Sequence, residues 1–288
     1  MDRASPLRQL FVVLEMIKFE HTLFALPFAF LGAFLAAGGW PGGKVSGWIL
    51  LAMVGARSAA MAFNRLADLP FDAENPRTRD RALPSNRVSR AFTVGFVVAS
   101  GVLFFFACWN LNPLAFQLSP LALAVVLGYS FTKRFTWASH FFLGLGLAMA
   151  PAGGWVAVRG TLDIPILLWS LAVLLWVAGF DVIYACQDLE YDRRRGLHSI
   201  PARWGLRGAL RWAATLHAAA GAVIAAALYV FGLGWPSWAG WILISSALLY
   251  EHWIVRPDDL TRVNTAFFTV NSMVSVVLFL AVGLDLYV

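Results

Sequence analysis

Long apolar stretches separated by short polar segments make up most of the 288-residue chain. A helix needs roughly 20 mostly apolar residues to cross the hydrocarbon core of a membrane. The pattern therefore predicts an all-α protein, a polytopic bundle of nine transmembrane helices that forms one integral-membrane domain over residues 1–288. The predicted spans are 21–39, 46–66, 91–109, 113–131, 138–158, 165–186, 209–232, 236–254 and 263–284.

The composition favours a membrane protein over a soluble one. Mean hydropathy is +0.70, and only 13% of the residues are charged, against about 25% in soluble domains. The net charge is +6, but the basic residues are spread over several short loops, so we predict no nucleic-acid partner. No feature indicates an obligate protein partner, and the oligomeric state stays open. Cys108 and Cys186 fall at opposite ends of their spans, too far apart for a disulfide.

The basic residues also predict the orientation of the chain. Nearly all of the 22 lysines and arginines fall on one side of the predicted bundle, whereas Lys44 and Arg159 fall on the other. Because cytoplasmic loops carry an excess of positive charge, we expect a cytoplasmic N-terminus and a C-terminus outside. Arg57 falls inside a span, where an arginine needs an anionic partner. That partner is either Asp181, in a structural pair, or the carboxylate of a substrate.

Two acidic motifs stand out, each following a predicted span on the cytoplasmic side. Asn64, Asp68 and Asp72 are spaced four residues apart, and so are Asp188 and Asp192. Carboxylates close to the hydrocarbon are costly and usually belong to a functional site. Two facing pairs are suited to holding Mg²⁺ against a diphosphate, which predicts the four aspartates as metal-binding catalytic residues. The alternative is that these acids only balance neighbouring arginines at the lipid surface.

The two motifs also suggest an internal duplication. They follow the second and the sixth predicted spans, an offset of four helices. The bundle would then consist of two four-helix pseudo-repeats plus a ninth helix, and repeat halves of membrane proteins often share a site at their interface. Pro70, between the two aspartates of the first motif, predicts that the preceding helix ends or kinks there.

Further basic and aromatic candidates lie on the same predicted side. Tyr129 and Lys133 end the fourth span, and Arg81 lies in the first long loop. Lys133 and Arg81 either contact a diphosphate or serve as positive-inside anchors. No H-E-x-x-H motif, Cys/His cluster, Walker A loop or G-x-S-x-G motif occurs, so a zinc site, a P-loop and a hydrolase elbow are not indicated.

These motifs resemble the UbiA family of intramembrane aromatic prenyltransferases. The family pattern N-x-x-x-D-x-x-x-D is similar to Asn64, Asp68 and Asp72, and its second D-x-x-x-D is similar to Asp188 and Asp192. Further similarities are Tyr129 and Lys133 to a Y-x-x-x-K at a helix end, residues 81–85 to the segment R-P-L-P-S, and residues 17–21 to a segment that usually reads R-x-D-K-P.

The resemblance implies Mg²⁺-dependent transfer of a polyprenyl group from polyprenyl diphosphate to an aromatic hydroxy acid. The aspartates and Asn64 would hold Mg²⁺ and the diphosphate, Lys133 and Lys18 would neutralise the departing diphosphate, and Tyr129 would face the allylic cation. Arg65 stands where many members carry an acid, and Lys18 replaces the usual arginine. These departures bear on the acceptor and on prenyl length more than on the reaction.

The resemblance is strongest to a bacterial branch labelled 4-hydroxybenzoate polyprenyltransferase, which implies quinone biosynthesis, such as that of ubiquinone, in the inner (plasma) membrane. The acceptor stays open between 4-hydroxybenzoate and a hydroxynaphthoate of a menaquinone route, and so does the prenyl length. A transporter with intramembrane carboxylate sites is the alternative from another class. A CDP-alcohol phosphotransferase is not favoured, because its D-G-x-x-A-R segment is absent.

Overall fold

The computed structural model describes residues 6–17 and 22–288, without the side chains of 22–24 and 267–268. Within these residues the protein is almost entirely helical, and β-structure is limited to a single isolated bridge between Arg256 and Asp259. The predicted all-α class is therefore confirmed. Lys18, a predicted diphosphate-binding residue, lies outside the described residues.

Nine of the described helices overlap the nine predicted spans. They are α2 (Thr22–Ala37), α3 (Gly43–Ala67), α5 (Arg90–Leu111), α6 (Pro113–Gly128), α7 (Ser139–Arg159), α8 (Ile166–Ala185), α10 (Ile200–Val230), α11 (Trp235–Ile254) and α13 (Asn271–Asp285). Four short α-helices are also present: α1 (Pro6–Met16), α4 (Leu69–Asp72), α9 (Leu189–Arg195) and α12 (Val263–Thr265). Two 3₁₀ segments, Tyr129–Arg134 and Cys186–Asp188, and one π-helical segment, Ala266–Val270, complete the described helical elements.

Six segments of the described chain are long and apolar enough to cross a membrane. Two shorter apolar helices, Ala25–Ala37 and Asn271–Asp285, fall below the length required. The count of nine membrane-spanning helices is therefore not confirmed. The six segments are Gly43–Ala67, Arg90–Leu111, Pro113–Arg134, Ser139–Arg159, Ile166–Arg195 and Ile200–Val230.

Helix α8 forms the centre of the bundle. Its residues Trp169, Val173 and Val177 are buried in the main hydrophobic core, and its flanks pack against α7 and α10. The most extensive helix pairs are α3 with α5 and α8 with α10, which are equivalent pairs in the two predicted halves. This packing agrees with the predicted duplication, although the duplication and the single-domain organisation stay predictions.

Glycine lets α2 and α7 approach closely. A Cβ atom on Gly154 would lie 1.8 Å from the carbonyl oxygen of Ala29, and one on Gly32 would lie 2.0 Å from that of Pro151. Small residues at such contacts allow helix backbones to meet, as is typical of membrane helix pairs. The seam between α2 and α7 therefore admits no larger residue at Gly154 or Gly32.

The helix ends after α3 and α8 position the acidic motifs. Helix α3 ends at Ala67, as Pro70 predicts, and Asp68 joins it to the single turn α4. Helix α8 likewise passes through a 3₁₀ turn, Cys186–Asp188, into the short helix α9. Both interruptions leave carboxylates at the helix ends rather than within the apolar spans. Cys108 and Cys186, predicted to remain apart, are free and buried.

Candidate active site

A polar pocket of about 190 Å³ lies where the ends of α3 and α8 meet the turn after α6. The two acidic motifs, predicted from distant parts of the sequence, both line it. The turn Tyr129–Arg134 is 3₁₀ rather than α-helical and contributes Tyr129 and Lys133 to the wall. Predicted candidates in this wall are Asn64, Asp68, Asp72, Arg81, Tyr129, Lys133, Asp188 and Asp192.

Asp68 is held by an amide and not by a cation. The Asn64 side-chain nitrogen donates to Asp68 Oδ2 at 2.9 Å and lies 3.4 Å from Ser130 Oγ. Burial raises the pKa of Asp68, the nearby charge of Asp72 raises it further, and Arg65 and Lys133 oppose the shift. No ion pair of Asp68 occurs among the described residues. Its charged form is therefore the least compensated of the motif aspartates.

Asp72 is bound by arginines from its own side of the pocket. Arg81 Nη1 donates to both carboxylate oxygens of Asp72 at 2.8 Å, and Arg65 Nη1 lies 3.6 Å from Oδ2. Burial and the charge of Arg65 lower the pKa of Arg81, and the contact with Asp72 offsets part of this change. Thr78 Oγ1 donates to the Asp72 carbonyl oxygen at 3.0 Å, which folds the following loop back over the pocket.

That loop also reaches the second motif. Arg77 Nε donates to Asp188 Oδ1 at 3.0 Å, while Nη1 donates to the hydroxyl of Tyr184, also at 3.0 Å. Asn75 Nδ2 lies 3.3 Å from the same Asp188 oxygen. Burial opposes the charged form of Arg77, but the hydrogen bond and charge of Asp188, together with Tyr184, outweigh burial and raise the pKa of Arg77. One loop thus carries the counter-charges of Asp72 and Asp188.

Asp192 is the most enclosed of the four motif aspartates, at 1% exposure. Lys133 Nζ lies 3.3 Å from its Oδ2, and Ser199 Oγ donates to the same oxygen at 2.9 Å. The carbonyl oxygen of Lys133 accepts from the His198 backbone at 2.7 Å, which fixes the turn after α6 against the start of α10. Lys133 therefore lies over the second motif with its ammonium group at the pocket wall.

The charges that line the pocket balance one another. Mg²⁺ takes one or two carboxylates and completes its shell with water and phosphate oxygens, so this donor set fits Mg²⁺ accompanied by a diphosphate. Among the described residues, no three acidic, histidine or cysteine side chains are grouped as a complete metal site. The acids are Asp68, Asp72, Asp181, Asp188 and Asp192, and the bases are Arg65, Arg77, Arg81, Lys133 and Arg134.

An apolar cavity of about 360 Å³ adjoins the polar pocket. Tyr129 and Leu143 line both spaces, and the cavity continues between α3, α5, α6 and α7 as far as Leu162. Arg57 lies in the cavity wall, and its Nε is buried without a hydrogen-bond partner among the described residues. A polar and an apolar compartment thus meet at Tyr129.

Of the two partners considered for Arg57, the structural pair with Asp181 is not formed. Asp181 Oδ2 instead lies 2.6 Å from Nδ1 of His140, a fully buried side chain. Asn75 and His140 were not identified as site residues from the sequence. An isolated asparagine in a loop and one of five scattered histidines carry no recognisable spacing, so no sequence signal distinguishes them.

Comparison with known proteins identifies relatives in the family that the sequence motifs resemble. The UbiA prenyltransferase family matches residues 25–273. A 4-hydroxybenzoate octaprenyltransferase of Vibrio parahaemolyticus serotype O3:K6 (strain RIMD 2210633) is 32% identical over 173 residues, 59% of this chain and 60% of that relative. The chain therefore aligns with about 60% of that relative's length.

Solved structures share the fold. The apo structure of a UbiA homolog from Aeropyrum pernix K1 superposes with a TM-score of 0.85 at 36% identity, covering 92% of this chain and 98% of the other. A UbiA homolog from Archaeoglobus fulgidus bound to GPP and Mg²⁺ has a TM-score of 0.71 at 18% identity, covering 94% and 99%. The second likeness is one of fold alone.

Proposed function

Because the chain belongs to the UbiA prenyltransferase family, we propose that it transfers a polyprenyl group from polyprenyl diphosphate to the ring of an aromatic hydroxy acid. The observation that carries the proposal is the junction at Tyr129 between a charged pocket and an apolar cavity. The charged pocket suits the diphosphate, and the cavity suits its hydrocarbon chain. The helices that are long and apolar enough to cross a membrane support access of a lipid donor to both spaces.

The polar pocket serves the leaving group in this proposal. Asp68, Asp72, Asp188 and Asp192, with Asn64, would hold Mg²⁺, in keeping with the homolog solved with GPP and Mg²⁺. When bound, Mg²⁺ supplies positive charge to the diphosphate oxygens. The neighbouring cations add to this charge, since lysine binds phosphate as a point charge and arginine as a fork. They are Lys133, Arg65, Arg77 and Arg81.

The apolar side of the junction serves the two carbon partners. Loss of diphosphate leaves an allylic cation, and the low water content of an apolar cavity protects it from quenching. The π face of Tyr129 stabilises a cation at the junction. Arg57, whose Nε has no hydrogen-bond partner among the described residues, binds the carboxylate of the acceptor. The ring carbon ortho to the acceptor hydroxyl then attacks the cation.

The acceptor is 4-hydroxybenzoate in this proposal, because a similar protein is named 4-hydroxybenzoate octaprenyltransferase. A hydroxynaphthoate is the second acceptor to be tested. The product would enter quinone biosynthesis, and the protein would lie in the bacterial inner membrane with its N-terminus cytoplasmic and its C-terminus outside. The charge distribution of the loops supports this orientation.

The first experiment measures diphosphate release by the full chain in nanodiscs. It supplies Mg²⁺, a polyprenyl diphosphate and either acceptor, with EDTA as the metal-free control and mass spectrometry of the product. We expect release that requires both Mg²⁺ and an acceptor. If folded protein releases no diphosphate with 4-hydroxybenzoate or with the hydroxynaphthoate, but moves a cation across vesicle membranes, the transporter alternative is supported instead.

Two aspartate variants test the metal-binding assignment. Asp68→Asn and Asp188→Asn keep the side-chain shape but remove the charge, so we expect turnover to fall at least about 100-fold while the protein stays folded. Asp163→Asn is the matched control, because the Asp163 carboxylate accepts hydrogen bonds from Trp155 and Thr161 and does not line the polar pocket. Wild-type turnover in either test variant would refute the assignment.

A further inference from the structure

Asp181 lies in the pocket wall without belonging to either acidic motif. It precedes Asp188 by seven residues, so it lies about 10 Å farther along α8, towards the apolar cavity. Arg57 precedes Asn64 on α3 by the same interval. Asp181 is close enough to Tyr129 and Lys133 to interact with them electrostatically. It therefore stands beside the junction of the two compartments rather than at the diphosphate end.

His140 holds Asp181 in one orientation. The Ile200 backbone N–H lies 3.2 Å from His140 Nε2 and can only donate, so Nε2 accepts and carries no proton. The neutral ring therefore carries its proton on Nδ1 and donates it to Asp181 Oδ2 at 2.6 Å. Asp181 Oδ1 accepts no hydrogen bond from another described residue. One carboxylate oxygen of this pocket-lining residue is thus fixed, and the other is not engaged by a described donor.

We propose that Asp181 accepts the ring proton of the aromatic acceptor and that His140 is its positioning residue; this inference rests on the proposed transferase function. Attack on the allylic cation forms a carbon–carbon bond and leaves the attacked ring carbon with both a hydrogen and a prenyl group. Asp181 Oδ1 takes that proton, and the electron pair of the C–H bond restores aromaticity. The diphosphate has already left with the electron pair of its C–O bond.

The arrangement suits this step. A carboxylate is a sufficient base for a cationic ring intermediate, and a base whose orientation is set by a third group is a recurring catalytic arrangement. The four motif aspartates are occupied by cations or by the amide of Asn64, whereas Asp181 is bound to a neutral imidazole. Among the acids that α8 and the following turn contribute to this pocket, Asp181 also lies nearest to the apolar cavity.

The test compares ring-deuterated with ordinary 4-hydroxybenzoate, the deuterium being ortho to the hydroxyl. In wild type, loss of the ring proton is fast and the isotope effect on turnover is small. In Asp181→Asn the proton has no acceptor, so turnover falls by about 100-fold to 10,000-fold and a primary isotope effect appears. Asp163→Asn serves again as the control and keeps the wild-type rate and isotope effect.

Variants of His140 separate positioning from packing. His140→Gln can both accept from the Ile200 N–H and donate to Asp181, so it retains most turnover. His140→Phe fills the space without either bond, so turnover falls and the isotope effect rises. The isotope effect of His140→Phe can be measured even if Asp181→Asn does not fold. If His140 had a purely structural role, His140→Phe would lower the rate without raising the isotope effect.

The outcomes separate the two proposals. A wild type that prenylates neither acceptor refutes the transferase function and this inference with it. A working wild type with an Asp181→Asn variant that is fully active, or slow without an isotope effect, refutes only the role of Asp181. If Asp181→Asn does not fold, a His140→Phe variant that is slow without an isotope effect likewise refutes the role of Asp181.

Discussion

Replacing Arg57 by methionine should weaken the acceptor interaction while stabilising the protein. Arg57 Nε is buried in the wall of the apolar cavity and has no hydrogen-bond partner in the described part of the chain. A buried unpaired donor costs about 1–3 kcal/mol, so the variant should gain roughly that in free energy of unfolding. Methionine keeps the length and the apolar contacts of the side chain.

The expected loss of activity in Arg57→Met follows from the hydrogen bond between Arg57 and the acceptor carboxylate, which the variant cannot make. A hydrogen bond to a charged group contributes about 1.5–3 kcal/mol, and about 1.4 kcal/mol corresponds to a factor of ten. We therefore expect kcat/KM for 4-hydroxybenzoate to fall roughly 10- to 150-fold, while KM for the polyprenyl diphosphate stays unchanged. Phenol, which lacks the carboxylate, should react equally poorly with both proteins.

The assay is product formation at varied acceptor and at varied donor concentration, combined with thermal unfolding in detergent. Arg159→Met is the control, since Arg159 stacks on Trp155 at the far end of α7. Our reasoning fails if Arg57→Met lowers the unfolding temperature, if the loss is as large for phenol as for 4-hydroxybenzoate, or if the donor KM rises instead.

Two further variants test the packing and the leaving group. Gly154→Ala forces a Cβ atom against the Ala29 carbonyl and should lower the free energy of unfolding by about 1–3 kcal/mol. Gly153→Ala is the control and should be tolerated, because its Cβ would meet no atom within 4 Å. Equal unfolding temperatures for the two variants would contradict this account. Lys133→Met should lower diphosphate release by about 100-fold, as loss of one transition-state contact typically does. Lys44→Met, which removes an exposed lysine, is its control, and an unchanged rate in Lys133→Met would exclude a role for that ammonium group.

The parts of the fold and site that are local in sequence could be predicted. The spans follow from runs of apolar residues, and the end of α3 follows from Pro70. The two acidic motifs share a pocket because both occur at helix ends on one side of the chain, as their spacing and the basic loops indicate. Tyr129 and Lys133 were found because they end a span.

The parts that depend on tertiary folding could not be predicted. The bond between His140 and Asp181 joins residues 41 positions apart, and Arg77 reaches Asp188 across 111 positions. No periodicity specifies which arginine of a loop will fold onto which acid. Arg57 is a further example. Its seven-residue spacing from Asn64 equals that of Asp181 from Asp188, which suggested that the two residues pair, but Asp181 contacts His140 instead.

The balance of charge in the polar pocket has a thermodynamic consequence. Arg81 and Arg77 already occupy Asp72 and Asp188, so the pocket exerts little long-range pull on an anion. An arginine that turns from its aspartate to a phosphate leaves the aspartate free for a cation. Diphosphate and divalent cation should therefore bind cooperatively, each raising the affinity for the other by the same factor. Either one alone would have to compete with the internal ion pairs, so we expect the loop after α4 to make the resting site selective for the two together.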